Sequence, residues 1–370
     1  MSAYLKKIQS AVLSAFSLLF LSEFHVLAQA NFNWTSISGS SNLSWVDCYS
    51  PPIQCTRLNV PFNYSDPSAE EATLALIRIP STLNGTADYR GPVLFNPGGP
   101  GSSGVDFIVQ TGTLVAAAIG QEFDLVSISN SVPLISFFET DAERAAFDLS
   151  SEATDSTAAP GILPSQWAHF QIFGHLAQDR DTAGFLPHVT TDNVARDMLT
   201  IVEAHGETML KYWGISYGTV LGATFASMFP DKVERLIIDG VLDMEGYFAT
   251  DWSTQLLDTD KLLQEFINAI SKNIDALYQQ VLAQPAVAYS PSEPQYGTVD
   301  HTTLKNAIFS SFYTPFSSFA PLAQGLADLK SGNGSVLFQL SFPHVSEVVA
   351  AVACGDGQAV TEILLPAEVL

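Results

Sequence analysis

Short apolar runs bounded by glycine, proline or polar residues recur through the first two thirds of the chain. They read TRLNVP (56–61), ATLALIRIP (72–80), PVLFN (92–96), FDLVSI (123–128), MLKYWG (209–214) and ERLIIDG (234–240). Runs of this length and composition predict strands, and the most apolar of them suit strands covered on both faces. Between FDLVSI and MLKYWG the period changes. TTDNVARDMLTIVEAHG opens on Thr and Asp, carries Val194, Met198, Ile201 and Val202 at helical spacing, and stops at Gly206, which predicts an amphipathic helix. Strands alternating with helices imply an α/β fold on a mostly parallel sheet.

From Tyr247 to Ala351 the strand pattern gives way to helical stretches such as TDKLLQEFINAISKNIDALYQQVL and HTTLKNAIFSSFY, separated by a proline-rich loop, AQPAVAYSPSEPQYG. The expected organisation is a leader over 1–30, an α/β core over 31–246, a helical cap over 247–351 and a short tail over 352–370. In the leader, Lys6 and Lys7 precede an apolar stretch from Ile8 to Leu21, and Ala28 and Ala30 place small residues at −3 and −1 of a cut after Ala30. This is the anatomy of a secretory signal peptide. As a membrane anchor the stretch falls short of the ~20 residues a spanning helix needs.

Composition narrows the function. At 47% hydrophobic and 14% charged, the chain is too apolar for disorder. Its formal net charge of −23 repels phosphate backbones and anionic lipid, so neither nucleic acid nor a membrane surface is expected as a partner. Asn33, Asn42, Asn63, Asn84 and Asn333 each open an Asn-x-Ser/Thr sequon, consistent with an exported glycoprotein. Cys48 and Cys55 flank the turn-prone CYSPPIQC, and Cys354 is left over. Outside the cytosol the first two read as a disulfide. CxxC, HxxxH and HExxH spacings are missing, so no metal is expected, and no cofactor motif is seen.

The chemistry centres on YWGISYG (212–218), a G-x-S-x-G directly after a predicted strand and before a helix rich in small residues. In that setting the motif is a nucleophile elbow with Ser216 at its apex; without partners it would be a surface serine in an ordinary turn. An acyl-transfer serine needs backbone N–H groups aimed at the developing oxyanion. One comes from the residue after the nucleophile, Tyr217, and the other from the loop after the third core strand, here NPGGPGSSG (96–104).

NPGGPGSSG together with YWGISYGTVLG resembles the secreted tripeptidyl aminopeptidases, α/β-hydrolases related to the prolyl iminopeptidases. The resemblance extends through NVPFNYSDP, the TTDNVARDM helix, FPDKVERLIIDGVLD and the segment ending at ACGD, roughly residues 42–356. It implies an α/β-hydrolase fold with a helical cap, Ser216 as nucleophile, and Gly99 and Tyr217 as the oxyanion hole. It also implies, as substrate, a peptide with a free N-terminus. The family's histidine (in a Gly-His context) and acid (in Asn-x-x-Asp-Pro) have no counterpart here, and after Ser216 only His301 and His344 remain, both in the cap. Asp243 is a remote substitute for the acid, and His205 reads as a cation at a helix C-terminus. The last core strands are therefore expected to be missing, leaving LIID as an exposed sheet edge and activity impaired. The remaining readings are an esterase of the same fold and a non-catalytic remnant; oligomeric state is open.

Overall fold

The computed structural model describes residues 32–66, 70–128, 137–182 (bar 151–161), 184–270, 274–290, 295–341 and 347–358. The predicted leader, His344 and the tail beyond 358 lie outside the described residues.

A seven-stranded sheet forms the centre, in the order β1 (Val46–Asp47), β2 (Gln54–Pro61), β3 (Glu71–Ile79), β5 (Asp124–Ile128), β4 (Pro92–Asn96), β6 (Leu210–Ile215), β7 (Val233–Asp239). All six runs read from the sequence are strands. Strands β5, β4, β6 and β7 run parallel, and β1, β2 and β3 form an antiparallel margin. The margin arises because β2 and β3 are joined directly, without the crossover helix that parallel neighbours require. Cys48 and Cys55 form the expected disulfide, with their Cα atoms 5.8 Å apart across the β1–β2 turn.

Two of the helices that cover the sheet show why they form where they do. Helix α1 (Gly104–Ile119) starts where the Ser103 side chain accepts the Asp106 N–H at 3.1 Å, and it buries Val105, Ile108 and Val115 against the sheet. After α2 (Asp141–Ser150) and α3 (Ile162–Arg180) comes α4 (Thr191–Ala204), the predicted amphipathic helix. Its Met198, Ile201 and Val202 are buried with Ala195, while Val194 packs at the margin. Helix α5 (Tyr217–Met228) follows β6 without a linker beyond Ser216. One apolar cluster, including Leu76, Leu94, Leu210 and Phe225, lies on the side of α4 and α5; another, including Ile77, Phe95 and Leu125, lies on the side of α1. The sheet is thus the middle of three layers.

After β7 come α6 (Met244–Phe248), α7 (Thr259–Ile270), α8 (Ile274–Ala283), β8 (Ala286–Ser290), β9 (Gln295–Val299), α9 (His301–Ser311), α10 (Pro315–Leu329), α11 (Ser335–Leu340) and α12 (Glu347–Asp356). The β8–β9 hairpin is a correction, because AQPAVAYSPSEPQYG reads as a loop. Its prolines flank strand β8 and hide the alternation within it: Ala286 and Ala288 are buried, Val287 and Tyr289 exposed. A third apolar cluster, including Phe266, Leu277, Leu304, Leu322 and Leu337, is built entirely from this region. Among the described residues no helix is long and apolar enough to cross a membrane.

Candidate active site

Strand β6 ends at Ile215 and α5 begins at Tyr217, so a single residue makes the whole turn. That residue, Ser216, takes φ 55° and ψ −121°, a conformation that L-residues with a side chain rarely adopt. The surroundings hold it there. Its N–H donates to the Asp239 carbonyl at the end of β7 (2.9 Å), and its own carbonyl accepts both the N–H and the hydroxyl of Thr219 (2.8 and 2.6 Å). The turn is so tight that a Cβ on Gly214 would lie 2.2 Å from the Gly218 carbonyl oxygen. Gly214 is therefore a steric requirement of the bend, while a Cβ on Gly218 would lie 2.9 Å from the Asn96 carbonyl oxygen at the end of β4.

The loop after β4 closes over the same point. A Cβ on Gly98 would lie 2.7 Å from the Ile215 oxygen, 2.9 Å from the Ser216 Cβ and 3.4 Å from the Tyr217 nitrogen. Gly98, Gly99 and Gly101 all have positive φ, the left-handed region that glycine enters without penalty. The sequence singles out Gly99, yet the glycine in direct contact with the elbow is Gly98. Gly98 donates its own N–H to the Asn96 side chain at 2.9 Å, so the next N–H along the loop is that of Gly99. As the first residue of α5, Tyr217 has an N–H with no intrahelical acceptor. A strained serine, a helix N-terminus and a glycine loop thus meet at the C-terminal end of the parallel strands, where ligands of open α/β sheets bind.

The Tyr217 side chain is buried and tied into a network that sequence reasoning missed. Its hydroxyl shares a hydrogen bond with the Thr191 hydroxyl (2.5 Å), which in turn donates to Asp356 (2.5 Å). Asp356 also accepts the Thr191 N–H (2.7 Å) and the Tyr247 hydroxyl (2.9 Å). Burial, and next the Asp356 carboxylate, push the Tyr247 phenol well above its ordinary range; burial does the same to Tyr217. Both stay protonated and able to donate. The only signal in the sequence is the ACGD segment, which carries no local pattern that would reveal its partners.

Four of the described histidines pack on other rings, and the fifth, His175, is exposed on α3. His205 is pushed down by burial, with Nδ1 2.8 Å from the Ile201 carbonyl. It is therefore a neutral ring packed near Trp45, and the sequence reading of it as a cation is corrected. His169 lies on Phe147, His188 on Phe62 and His301 on Tyr278, at ring separations of 3.9, 4.8 and 5.1 Å. Asp243 caps α6, accepting the Glu245 N–H and the Thr254 hydroxyl. Among the described residues no cluster of His, Cys, Asp or Glu could hold a metal. A depression of about 340 Å³ lined by Tyr89, Arg90, Lys211 and Glu234 opens at the N-terminal ends of the strands, away from the elbow.

The family model of the alpha/beta hydrolase fold matches residues 91–290, which span the glycine loop after β4, the elbow and β7. The chain belongs to the α/β-hydrolase fold family. Among curated relatives of this chain, the tripeptidyl aminopeptidase of Streptomyces coelicolor is 28% identical over 347 residues, covering 86% of this chain and 62% of the relative. The serine protease Hip1 of Mycobacterium tuberculosis is 33% identical over 214 residues, covering 54% of this chain and 40% of the protease. Carboxylesterase B of the same organism is 35% identical over 199 residues, covering 51% of this chain and 36% of the esterase. The chain thus spans less than two thirds of the length of the relatives it matches.

Proposed function

We propose that this hydrolase is an exported serine peptidase by descent, shaped to release short peptides or single residues from free N-termini. Its chemistry would run through an acyl-enzyme on Ser216. The observation that carries the reading is the held, positive-φ Ser216 at the start of a helix, with the glycine loop packed against it. In the proposed step Ser216 Oγ attacks the scissile carbonyl carbon, and its proton passes to the departing amine as the C–N bond breaks. The N–H groups of Tyr217 and Gly99 receive the negative oxygen of the tetrahedral intermediate. Water then cleaves the acyl-enzyme. Similarity to a tripeptidyl aminopeptidase and to a serine protease supports the peptide substrate.

The sequence lacks the Gly-His context in which the resembled family carries its base, and His169, His188, His205 and His301 pack on other aromatic rings. Slow turnover is therefore expected, sustained by the oxyanion hole and binding at roughly 10³–10⁴-fold over water. The test is release of a chromophore from an N-terminally free tripeptide amide and from a simple ester, with Ser216→Ala beside the parent chain. Slow amide cleavage lost in Ser216→Ala is the expected result. Release that persists in Ser216→Ala removes Ser216 from the mechanism, and fast release abolished by that change shows that a base is present after all. Cleavage of the ester alone favours the esterase reading, which the similarity to carboxylesterase B keeps in play.

A further inference from the structure

The β8–β9 hairpin has a dry face and a wet one. Strand alternation turns Ala286, Ala288 and Val299 inward, where they are buried. Gly297 lies so close to the helical core that a Cβ there would meet the Phe338 ring at 2.4 Å. The opposite face carries Val287 and Tyr289 from β8 with Thr298 and Tyr296 from β9, each pair directly opposite in the ladder. These large side chains stand in water: Tyr289 is 65% exposed, Tyr296 76% and Val287 63%.

Beside β8 runs the sequon Asn333-Gly334-Ser335. Asn333 pairs with Val287 in an isolated parallel bridge, and the Gly334 N–H donates to the Val287 carbonyl at 2.8 Å. The Ser335 hydroxyl accepts the Tyr289 N–H (3.1 Å) and donates to the Tyr289 carbonyl (3.2 Å). Bridge partners present their side chains to one face, so the exposed Asn333 stands on the face of the two tyrosines. Its Oδ1 accepts the Ser335 N–H at 3.0 Å. That bond uses the amide oxygen and not Nδ2, the atom to which an N-linked sugar is joined.

We propose that Asn333 carries an N-glycan whose first two N-acetylglucosamine units lie across this face, the first on Val287 and Tyr289, the second on Tyr296. The proposal rests on the reading of the chain as exported and is independent of its catalytic chemistry. Neighbouring strands are about 4.8 Å apart, close to the length of one pyranose ring, so a glycan leaving Asn333 sideways crosses β8 with its first unit and β9 with its second. A pyranose offers a face of polarised C–H groups, which complements the electron-rich face of a tyrosine ring. Its hydroxyl and acetamido groups stay outward in water. Because the glycan is tethered at the edge of the patch, it stacks as an intramolecular ligand at high effective concentration.

Secretion of the full chain from a eukaryotic host, followed by glycopeptide mapping, is expected to find Asn333 occupied. Tyr313 supplies an internal reference: it is 65% exposed, like Tyr289, and lies at the far end of α9 from β9. On the folded glycoprotein, nitration by tetranitromethane should be several-fold slower at Tyr289 and Tyr296 than at Tyr313. Enzymatic release of the glycan should bring the three rates together. Asn333→Gln should reproduce the released state and lower the melting temperature of the helical region by about 2–4 °C. The same change in a Tyr289→Ser, Tyr296→Ser background should leave that temperature where it is. The nitration arm needs no substituted tyrosine, so it decides the matter even if that background fails to fold. A bare Asn333 beside sugar on other sequons overturns the proposal and leaves export intact. A chain kept inside the host, with no sugar at any of its sequons, overturns both. Equal nitration before and after release, or protection that extends to Tyr313, overturns the stacking itself.

Discussion

Ser216 carries the strain of the elbow in its own backbone. At φ 55° and ψ −121° a residue with a side chain is destabilised by about 1–3 kcal/mol. Replacing it with glycine removes that strain at the expense of ~0.5–1 kcal/mol of unfolded-state freedom. Ser216→Ala keeps the strain and deletes only the hydroxyl. Ser216→Gly should therefore melt above Ser216→Ala by about 1 kcal/mol in equilibrium unfolding, although neither variant can form an acyl-enzyme; the reverse order would mean that the elbow is relaxed. A second residue whose environment has a measurable consequence is Asp197 on α4. Burial raises its carboxyl from 3.8 to about 7, against the lowering effect of the Tyr64 hydroxyl that donates to it at 2.7 Å. Between pH 4 and pH 7 the unfolded chain then loses this proton while the folded chain keeps it. Stability must fall as pH rises through that window, at up to about 1.4 kcal/mol per pH unit from this group. Asp197→Asn retains an acceptor for Tyr64 and cannot ionise. Urea titrations at pH 4.5 and 7.5 should show a smaller loss for the variant than for the parent chain; equal losses would mean that Asp197 ionises in the fold as readily as in water.

Helix α4 shows how far its own sequence defines an element and where a distant one takes over. Its apolar face is legible in the spacing of Met198, Ile201 and Val202, because a 3.6-residue period needs no knowledge of the partner surface. Its N-terminus is not. Thr190, at the position expected to cap it, makes no side-chain capping bond, and Asp356 from α12 accepts the Thr191 N–H instead. A carboxylate there complements both the free N–H groups and the positive helix end, but nothing local announces a partner 165 residues away. The β8–β9 hairpin escaped for the opposite reason: its prolines sit outside the strand they appear to break. The elbow and glycine loop were legible because their chemistry is local, a close backbone approach that only glycine allows. Naming Gly99 over Gly98 rested on the family resemblance and not on the local pattern, since it depends on which N–H Asn96 has already taken. Asp356→Ala should lower stability by roughly 1–3 kcal/mol, from the lost cap and the buried donors left without an acceptor. The matching cycle with Thr191→Val should show coupling of ~0.5 kcal/mol or more, since the two share one network. Additive effects would show that Asp356 acts on the helix only through general electrostatics.

At the scale of the whole molecule, the apolar interior is divided. The clusters on either side of the sheet share its strands, whereas the cluster of Phe266, Leu277, Leu304, Leu322 and Leu337 draws every member from the helical region after β7. A body with its own core can lose structure while its neighbour persists, so a single all-or-none transition is not expected. The disulfide offers a way to tell the two apart, because Cys48 and Cys55 belong to the cluster on the α1 side of the sheet. Closing so short a loop stabilises the unit that contains it by about 2.5 kcal/mol in the chain-entropy account. Scanning calorimetry should resolve two transitions. Reduction of Cys48–Cys55, with Cys354 replaced by serine to avoid exchange, should lower only the transition of the sheet. Leu322→Ala, which opens a cavity in the helical core at about 2–5 kcal/mol, should lower only the other. One transition with equal calorimetric and van't Hoff enthalpies, shifted by both changes, would instead show that the sheet and the helical region melt as a single cooperative unit.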